Sequence, residues 1–476
     1  MRRIVSLVFA LAFFAAIHSY ADSTYDPKPW LDDLAEMRAA FTAKYANFEW
    51  AVFGKELDMT GLFADTKKRI EAAHNDADAR AAFDRLIRKV GDGHVELHWP
   101  SGTSHADAPP MPCSDYDPVR AAKPLAAYAQ GYVAIPTPQS DIFPIGVITT
   151  GTNRVGVIKI PLFSPTAFPP LCQAALAALS IPPDKPCDDA CDDRIQDWAA
   201  ARLNQDFIAQ IEALKRAQVD VLLVDVAGNG GGTEWAEAAA RMLTPIRLQS
   251  ARIEFVRGPH WVKELGDLEN TLRTAATTAS PQDRAMLLQL ADQAAAKKQI
   301  AATPCDASPL WEGKHPGCTW LGPGFFMSGP LAAADPASLR GKPWAADVFS
   351  PMEFQYTEGL WRGPLIVLVD GNSGSSSEEF AALLQDNRAA VIMGELTVGV
   401  GCGHTDGGTP TTLSHSGAQL IVPDCVRLRP DGVNEVRGVM PDVVVGFQRG
   451  DGPHLRATAF LALLPQAVER ARAQHN

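Results

Sequence analysis

The chain has 476 residues, 43 of them Lys or Arg and 55 Asp or Glu, for a formal net charge of −12. With 46% hydrophobic and 21% charged residues, it has the balance of a globular protein long enough for two or three domains, which excludes a disordered tail or a collagenous repeat. The acidic surplus repels phosphate backbones and no basic run with interleaved aromatics offsets it, so nucleic acid is not an expected partner.

At the start, Arg2 and Arg3 precede an almost wholly apolar run over residues 4–17, and Ser19-Tyr20-Ala21 places small residues where a signal peptidase reads. The run is short of the ~20 residues that span a bilayer. Residues 1–21 therefore read as a cleaved secretory leader, with a mature N-terminus at Asp22 and no later segment apolar for long enough to cross a membrane. The expected location is extracytoplasmic, periplasmic or secreted. The cysteines agree with export: Cys113, Cys172, Cys187, Cys191, Cys305, Cys318, Cys402 and Cys425 are even in number, which favours disulfides. Sequence-local pairing gives Cys187–Cys191, Cys305–Cys318 and Cys402–Cys425, although spacing alone does not choose among connectivities. No CxxC pair speaks for a metal site.

Residues 22–100 form a small helical region. Leu31, Leu34, Met37, Ala40 and Phe41 recur at helical spacing, Asp58 opens a second helix, and residues 78–90 make a third with Phe83, Leu86 and Ile87 on one face. Residues 101–153 are rich in Pro and Ala and read as loop with short strands, after which 154–161 is a buried strand. An amphipathic helix over 192–218 leads into VDVLLVDVAG at 219–228, an apolar run suited to a strand covered on both faces. A glycine turn, Gly228 to Gly232, and a helix over 234–243 follow. Residues 365–370 repeat this grammar: an apolar strand, the small-residue turn GNSGSS, a helix over 377–386 and the strand AVIMGE. These strand–turn–helix units predict an α/β domain over 154–450. Its long insertion, 244–359, carries a polar helix over 262–298, and 451–476 forms a C-terminal helix.

A serine placed where a buried strand gives way to a helix has its hydroxyl near free backbone N–H groups and the positive helix end, which favour developing negative charge. Ser375 occupies that place. Serines are also common caps and turn residues, and Ser373, Ser376 and Ser377 fit that description equally well. The glycine turn after the other strand supplies what an oxyanion hole needs, since glycines let backbone N–H groups aim at a ligand. It does not fit a nucleotide-binding GxxxxGK[ST] pattern.

These residues resemble the C-terminal processing peptidases and their tricorn-core and retinoid-binding relatives. VLLVDVAGNGGG is similar to the family's DLRxNxGG strand and turn, and VLVDGNSGSSSEEFAALLQDNRAAVIMGE to its SASASE-containing nucleophile segment. RGVMPDV at 437–443 is similar to its GVxPD signature, and VGDGHVELH at 90–98 to its DGH segment. The resemblance implies a crotonase/ClpP-like α/β core. It makes Ser375 the nucleophile, with the amides of Gly231 and Ser376 as the oxyanion hole and Gly232 as the neighbouring candidate. The processing-peptidase branch takes its general base from a lysine in a TFGKG-like segment, which here reads TVGVG and puts Val400 at that position. The tricorn-like branch uses an early histidine and a late glutamate, matched by His94 and Glu435.

Imidazole suits a base near neutral pH and a carboxylate can support it, with an inflection expected near the ~6.5 reference value. His404 is the alternative base. His94, Glu96 and His98 would share one strand face, which reads either as a polar sheet face or as a metal face. Residues 100–154 are too short for the PDZ domain that processing peptidases insert there, so tail specificity is not implied. The implied function is an exported serine endopeptidase acting on protein or peptide substrates without a cofactor. A binding protein that keeps the fold without catalysis, and an esterase using the same residues, are the alternatives.

Overall fold

The structure, a computed structural model, describes residues 25–100, 110–114, 116, 123–403, 410–448 and 450–475. The expected leader at 1–21 and the alternative base His404 lie outside the described residues.

Three capped helices open the described chain: α1 (Pro27–Lys44), α2 (Met59–Glu71) and α3 (Asp76–Val90), whose N-caps Asp26, Asp58 and Asn75 accept from Lys28, Gly61 and Asp78 amides. Each cap satisfies an N–H that the helix itself cannot. Helix α3 begins slightly before the expected Asp78 because Asn75, not a residue inside the helix, supplies the cap. Gly91, at φ 63°, ends α3 in the left-handed conformation and turns the chain through Asp92 and His94 into strand β1 (Glu96–His98).

The centre is a seven-stranded mixed sheet. In chain order its members are β2 (Val133–Ala134), β3 (Ile145–Thr150), β4 (Asn153–Lys159), β5 (Val221–Asp225), β8 (Leu365–Val369), β9 (Val391–Gly394) and β13 (Val443–Val444). Their spatial order is β13-β9-β8-β5-β4-β3-β2. The run β4-β5-β8-β9-β13 is parallel and the β2-β3-β4 edge antiparallel. Helices α4 (Pro169–Leu179), α5 (Asp189–Arg216) and α6 (Trp235–Met242) contribute to the core on one face. Leu222 and Val224 of β5 point into that core, while Val221 and Leu223 point to the opposite one. Burial on both faces is why both strands read as unbroken apolar runs.

The insertion is built into the structure and does not hang from it. It supplies β6 (Arg252–Val256) and β7 (Leu321–Phe326), which form a second sheet with β12 (Cys425–Leu428) in the order β12-β6-β7. A third small sheet joins β1 to β11 (Gln419–Ile421) and β10 (Thr411–Thr412). The helix expected over 262–298 is two helices, α7 (Pro259–Thr278) and α8 (Pro281–Ala301). Pro281 cannot continue a helix, and the Ser280 hydroxyl caps the new one by accepting from the Asp283 amide at 3.2 Å. Two short helices, α9 (Pro336–Leu339) and α10 (Ala345–Val348), precede α11 (Ser376–Asp386), and α12 (Pro453–His475) covers the second sheet face through Phe460, Leu464 and Val468.

The three expected cysteine pairs are present, and a fourth bridge joins Cys113 to Cys172. That last pair is 59 residues apart in sequence, which is why local spacing did not reveal it. Among the described residues no helix is long and apolar enough to cross a membrane.

The insertion also completes the N-terminal core. Trp311 packs edge-on to Phe48 and Phe63, each with ring centroids 4.9 Å away, and its indole N–H donates to the Thr42 hydroxyl at 2.8 Å. Trp311→Ala is therefore expected to cost about 3–5 kcal/mol. Chemical denaturation followed by far-UV circular dichroism checks it; an unchanged midpoint would mean that the insertion does not brace the N-terminal helices.

Candidate active site

Strands β5 and β8 are parallel neighbours, so the turns that follow them emerge side by side. The turns are stitched together by buried hydrogen bonds. Ser373 Oγ donates to the Val226 carbonyl at 2.9 Å, Ser377 Oγ to that of Asn229 at 2.8 Å, and Ser376 Oγ to that of Gly232 at 3.1 Å. The Gly374 amide donates to the Asn229 carbonyl at 3.0 Å, and the Gly228 amide to Asp370 Oδ1 at 2.8 Å. Three of the four turn serines are thus structural, as their composition allowed. The fourth, Ser375, directs its hydroxyl to the imidazole of His94, with Oγ 3.1 Å from Nε2.

Ser375 sits at φ 53° and ψ −119°, a conformation that costs a non-glycine residue about 1–3 kcal/mol. Glu378 holds it there: one of its carboxylate oxygens accepts from the Ser375 amide at 3.1 Å. Gly231 and Gly232 are both left-handed, and a Cβ on Gly231 would lie 2.6 Å from that of Ser375. Only glycine allows the two turns to approach so closely.

The amide of Gly231, expected in the oxyanion hole, donates instead to Asn229 Oδ1 at 2.8 Å. Asparagine closes a local turn onto it. The amides of Gly232 and Ser376 have no protein acceptor among the described residues, and both residues line the same cavity as Ser375 and His94.

His94 lies in the turn before β1, not within it, so it does not share a face with Glu96 and His98. Those two form an exposed pair of their own, 2.8 Å apart. The other ring nitrogen of His94, Nδ1, is 3.2 Å from the Val400 carbonyl. The Val400 side chain packs against Gly93, where an added Cβ would lie 2.3 Å from Cγ1. Where the resemblance would have put a lysine side chain, this chain presents a carbonyl to the histidine. Burial lowers the His94 pKa below its usual 6.5; Asp92 pulls it up, Arg427 pushes it down, and the Cys402 and Val400 backbones favour the protonated ring. Asp92 is buried, accepts from the His94 amide at 3.0 Å, and is itself held by Tyr45 at 3.0 Å and Asn47 at 2.9 Å.

Glu435 is not brought to His94. Its carboxylate accepts from Arg427, a fully buried guanidinium on β12 that also reaches Glu379 at 3.4 Å and the Ser375 carbonyl at 3.3 Å. Burial opposes the Arg427 charge, yet Glu435 and Glu379 hold its pKa above the usual arginine value. Burial drives Glu379 well above the carboxylate range despite Arg427.

Glu378 also accepts from the Thr397 hydroxyl at 2.5 Å and from the Gly399 and Val400 amides at 2.6 and 3.0 Å. It therefore ties the serine turn to the segment that faces His94. Burial raises its pKa, Glu435 adds to that, and its hydrogen bonds oppose both. Sequence reasoning did not single out Asp92, Glu378 or Arg427. The first two stand inside segments quoted above, whereas nothing adjacent to Arg427 in sequence marks it.

The site opens into a cavity of about 500 Å³ lined by Ile253, Phe326 and Met327 of the insertion and its flanks, together with Glu234, Glu264 and Glu379. Its walls mix these apolar side chains with carboxylates and the Arg427 guanidinium, so polar groups line at least as much of it as apolar ones.

Comparison with known proteins places the chain in a family. The model of peptidase family S41 matches residues 154–445. Comparison with curated proteins finds no match. Among solved structures, mature CPAF aligns with a TM-score of 0.57 and 14% identity, covering 94% of this chain and 98% of its own. CPAF complexed with lactacystin aligns with the same score and identity, covering 94% and 99%. At that identity the likeness shows a shared fold. With more than half of its length matched by the family model, the chain belongs to peptidase family S41, the C-terminal processing peptidase family, and is a serine-type peptidase.

Proposed function

We propose that this peptidase is an exported endopeptidase in which Ser375 is the nucleophile and His94 the general base. The observation that carries the reading is the 3.1 Å approach of Ser375 Oγ to His94 Nε2, in a turn whose other serines are all engaged with the backbone. Ser375 Oγ attacks the scissile carbonyl while Nε2 takes its proton, and the imidazolium then returns that proton to the leaving amine. Water, activated by the same nitrogen, hydrolyses the acyl-enzyme. The Val400 carbonyl selects the tautomer with hydrogen on Nδ1, which leaves Nε2 free to accept. The oxyanion is received by the amides of Gly232 and Ser376 at the start of α11.

In this reading Glu435 supports the site indirectly. It neutralises Arg427, whose charge disfavours the imidazolium, and keeps the guanidinium under the serine turn. The four disulfides support export, since such bridges persist in oxidising compartments. The substrate is a protein or peptide, as in the family.

Ser375→Ala should abolish peptide hydrolysis and labelling by a fluorophosphonate probe while leaving the melting temperature nearly unchanged; full turnover in this variant would sink the mechanism. His94→Ala should cost at least about a hundredfold in kcat/KM, as loss of a general base does.

The base must be neutral, and burial holds the His94 pKa below 6.5. As pH rises, kcat/KM should climb through an inflection below that value and then level off. An inflection above 6.5 in steady-state kinetics would contradict a buried imidazole base.

Glu435→Gln should slow the enzyme less than His94→Ala. It should also lower stability by about 3 kcal/mol, since removing one partner leaves a buried charge less well compensated. Paired urea unfolding and kinetics check this; an inactive but fully stable variant would instead give Glu435 a direct catalytic part.

A further inference from the structure

One disulfide differs in position from the other three. Cys402 and Cys425 both line the catalytic cavity, whereas no other bridged cysteine does. Cys402 closely follows Val400, the residue whose carbonyl meets His94 Nδ1 at 3.2 Å. Cys425 begins β12, and further along the same strand Arg427 reaches the Ser375 carbonyl at 3.3 Å. The bridge thus joins the segment facing the imidazole to the strand backing the serine turn.

That segment needs an anchor. Gly399 and Gly401 are both left-handed, at φ 80° and 62°. Glycines hold such angles no more readily than many others and lose the most conformational freedom when fixed. On the upstream side Glu378 fixes Thr397, Gly399 and Val400 through one hydroxyl and two amides. Beyond Gly401 the first fixed point is Cys402 itself, covalently bound to Cys425.

We propose that the Cys402–Cys425 disulfide is a positioning element for catalysis: it clamps the 399–402 backbone so that the Val400 carbonyl stays aimed at Nδ1 and the imidazole stays aimed at Ser375. The proposal rests on the reading of His94 as the base. The Cys305–Cys318 bridge is the natural comparison. Cys305 belongs to the core shared by the N-terminal helices and the insertion, away from the cavity.

The test compares two double variants, C402A/C425A and C305A/C318A, each measured for melting temperature, kcat, KM and the pH dependence of kcat/KM. Loss of either bridge should lower the melting temperature. C402A/C425A alone should lose about ten- to a hundredfold in kcat, the penalty of a slightly misplaced catalytic group, with KM little changed. Its acid inflection should also move up toward 6.5 as the freed segment admits water to the ring, a change that mere destabilisation would not produce. C305A/C318A should keep kcat and the inflection of the wild type.

If C402A/C425A does not fold, graded reduction and alkylation of the wild-type protein, mapped by mass spectrometry, reads the same quantity. Activity should fall in step with alkylation at Cys402 and Cys425 and not with that at Cys305 and Cys318. Wild-type kcat and an unmoved inflection in C402A/C425A, beside an inactive His94→Ala, would overturn the clamp and leave the base assignment standing. An active His94→Ala would overturn that assignment itself.

Discussion

The site depends on keeping two irregular turns in register at the ends of adjacent parallel strands. Neither turn is stable on its own terms. One carries a serine in a conformation that side chains avoid, and the other carries consecutive left-handed glycines. What holds them is a set of buried hydrogen bonds that run from one turn to the other, from Ser373, Ser376 and Ser377 to carbonyls of the glycine turn. Each such bond contributes about 0.5–1.5 kcal/mol, and the Val226 and Asn229 carbonyls accept a backbone amide as well. Together the three bonds are of the same order as the strain at Ser375, and the Ser375 hydroxyl is the one that faces His94 instead of the neighbouring turn.

The buried charges form a second constraint. Arg427 lies under the serine turn between Glu379 and Glu435, with Glu378 close enough to feel it. Burying such groups is unfavourable in itself and is rarely the best route to stability. Here the arrangement gives position: the same guanidinium that bonds to Glu435 and reaches Glu379 also holds the Ser375 carbonyl. The imidazole sits at the edge of this cluster, with the Asp92 carboxylate raising its proton affinity and Arg427 lowering it. The basicity of this imidazole is set first by burial and then by two opposed neighbours, not by one paired acid.

Much of this architecture was legible from the chain because its signals are local. The apolar runs before each turn, the glycines after β5 and the serines after β8 all lie within a few residues of the feature they produce. The same holds for Asp58 as a cap and for Cys187 and Cys191 as a pair. The misreadings have mixed causes, a competing side chain, a local helix break and one contact between distant segments. A matching position put Glu435 beside His94, but Arg427, on another strand, competes for its carboxylate. Gly231 was the expected donor to the oxyanion, yet the Asn229 side chain in the same turn engages its amide. The long polar helix was read across Ser280-Pro281, where proline and its cap in fact divide it. The Cys113–Cys172 bridge links segments with no sequence proximity at all.

In the proposed mechanism a histidine takes the part of a lysine base, which changes what the protein must provide. A lysine brings its amine on a flexible stem from the segment that contains Val400, and that segment need only be near the serine. In that mechanism the imidazole comes from the turn after α3, and its second nitrogen needs a fixed acceptor. The Val400 segment would still serve the proposed base, but through the main-chain carbonyl that lies 3.2 Å from His94 Nδ1, and a carbonyl is only as well aimed as the backbone that carries it. Its side chain, free of any catalytic duty, fills the space beside Gly93 and presses the two segments together. On the proposed mechanism, precision that a lysine would find by side-chain rotation must come from the backbone itself, and the residues around Val400 are bonded to Glu378 on one side and cross-linked to β12 on the other, as that requires.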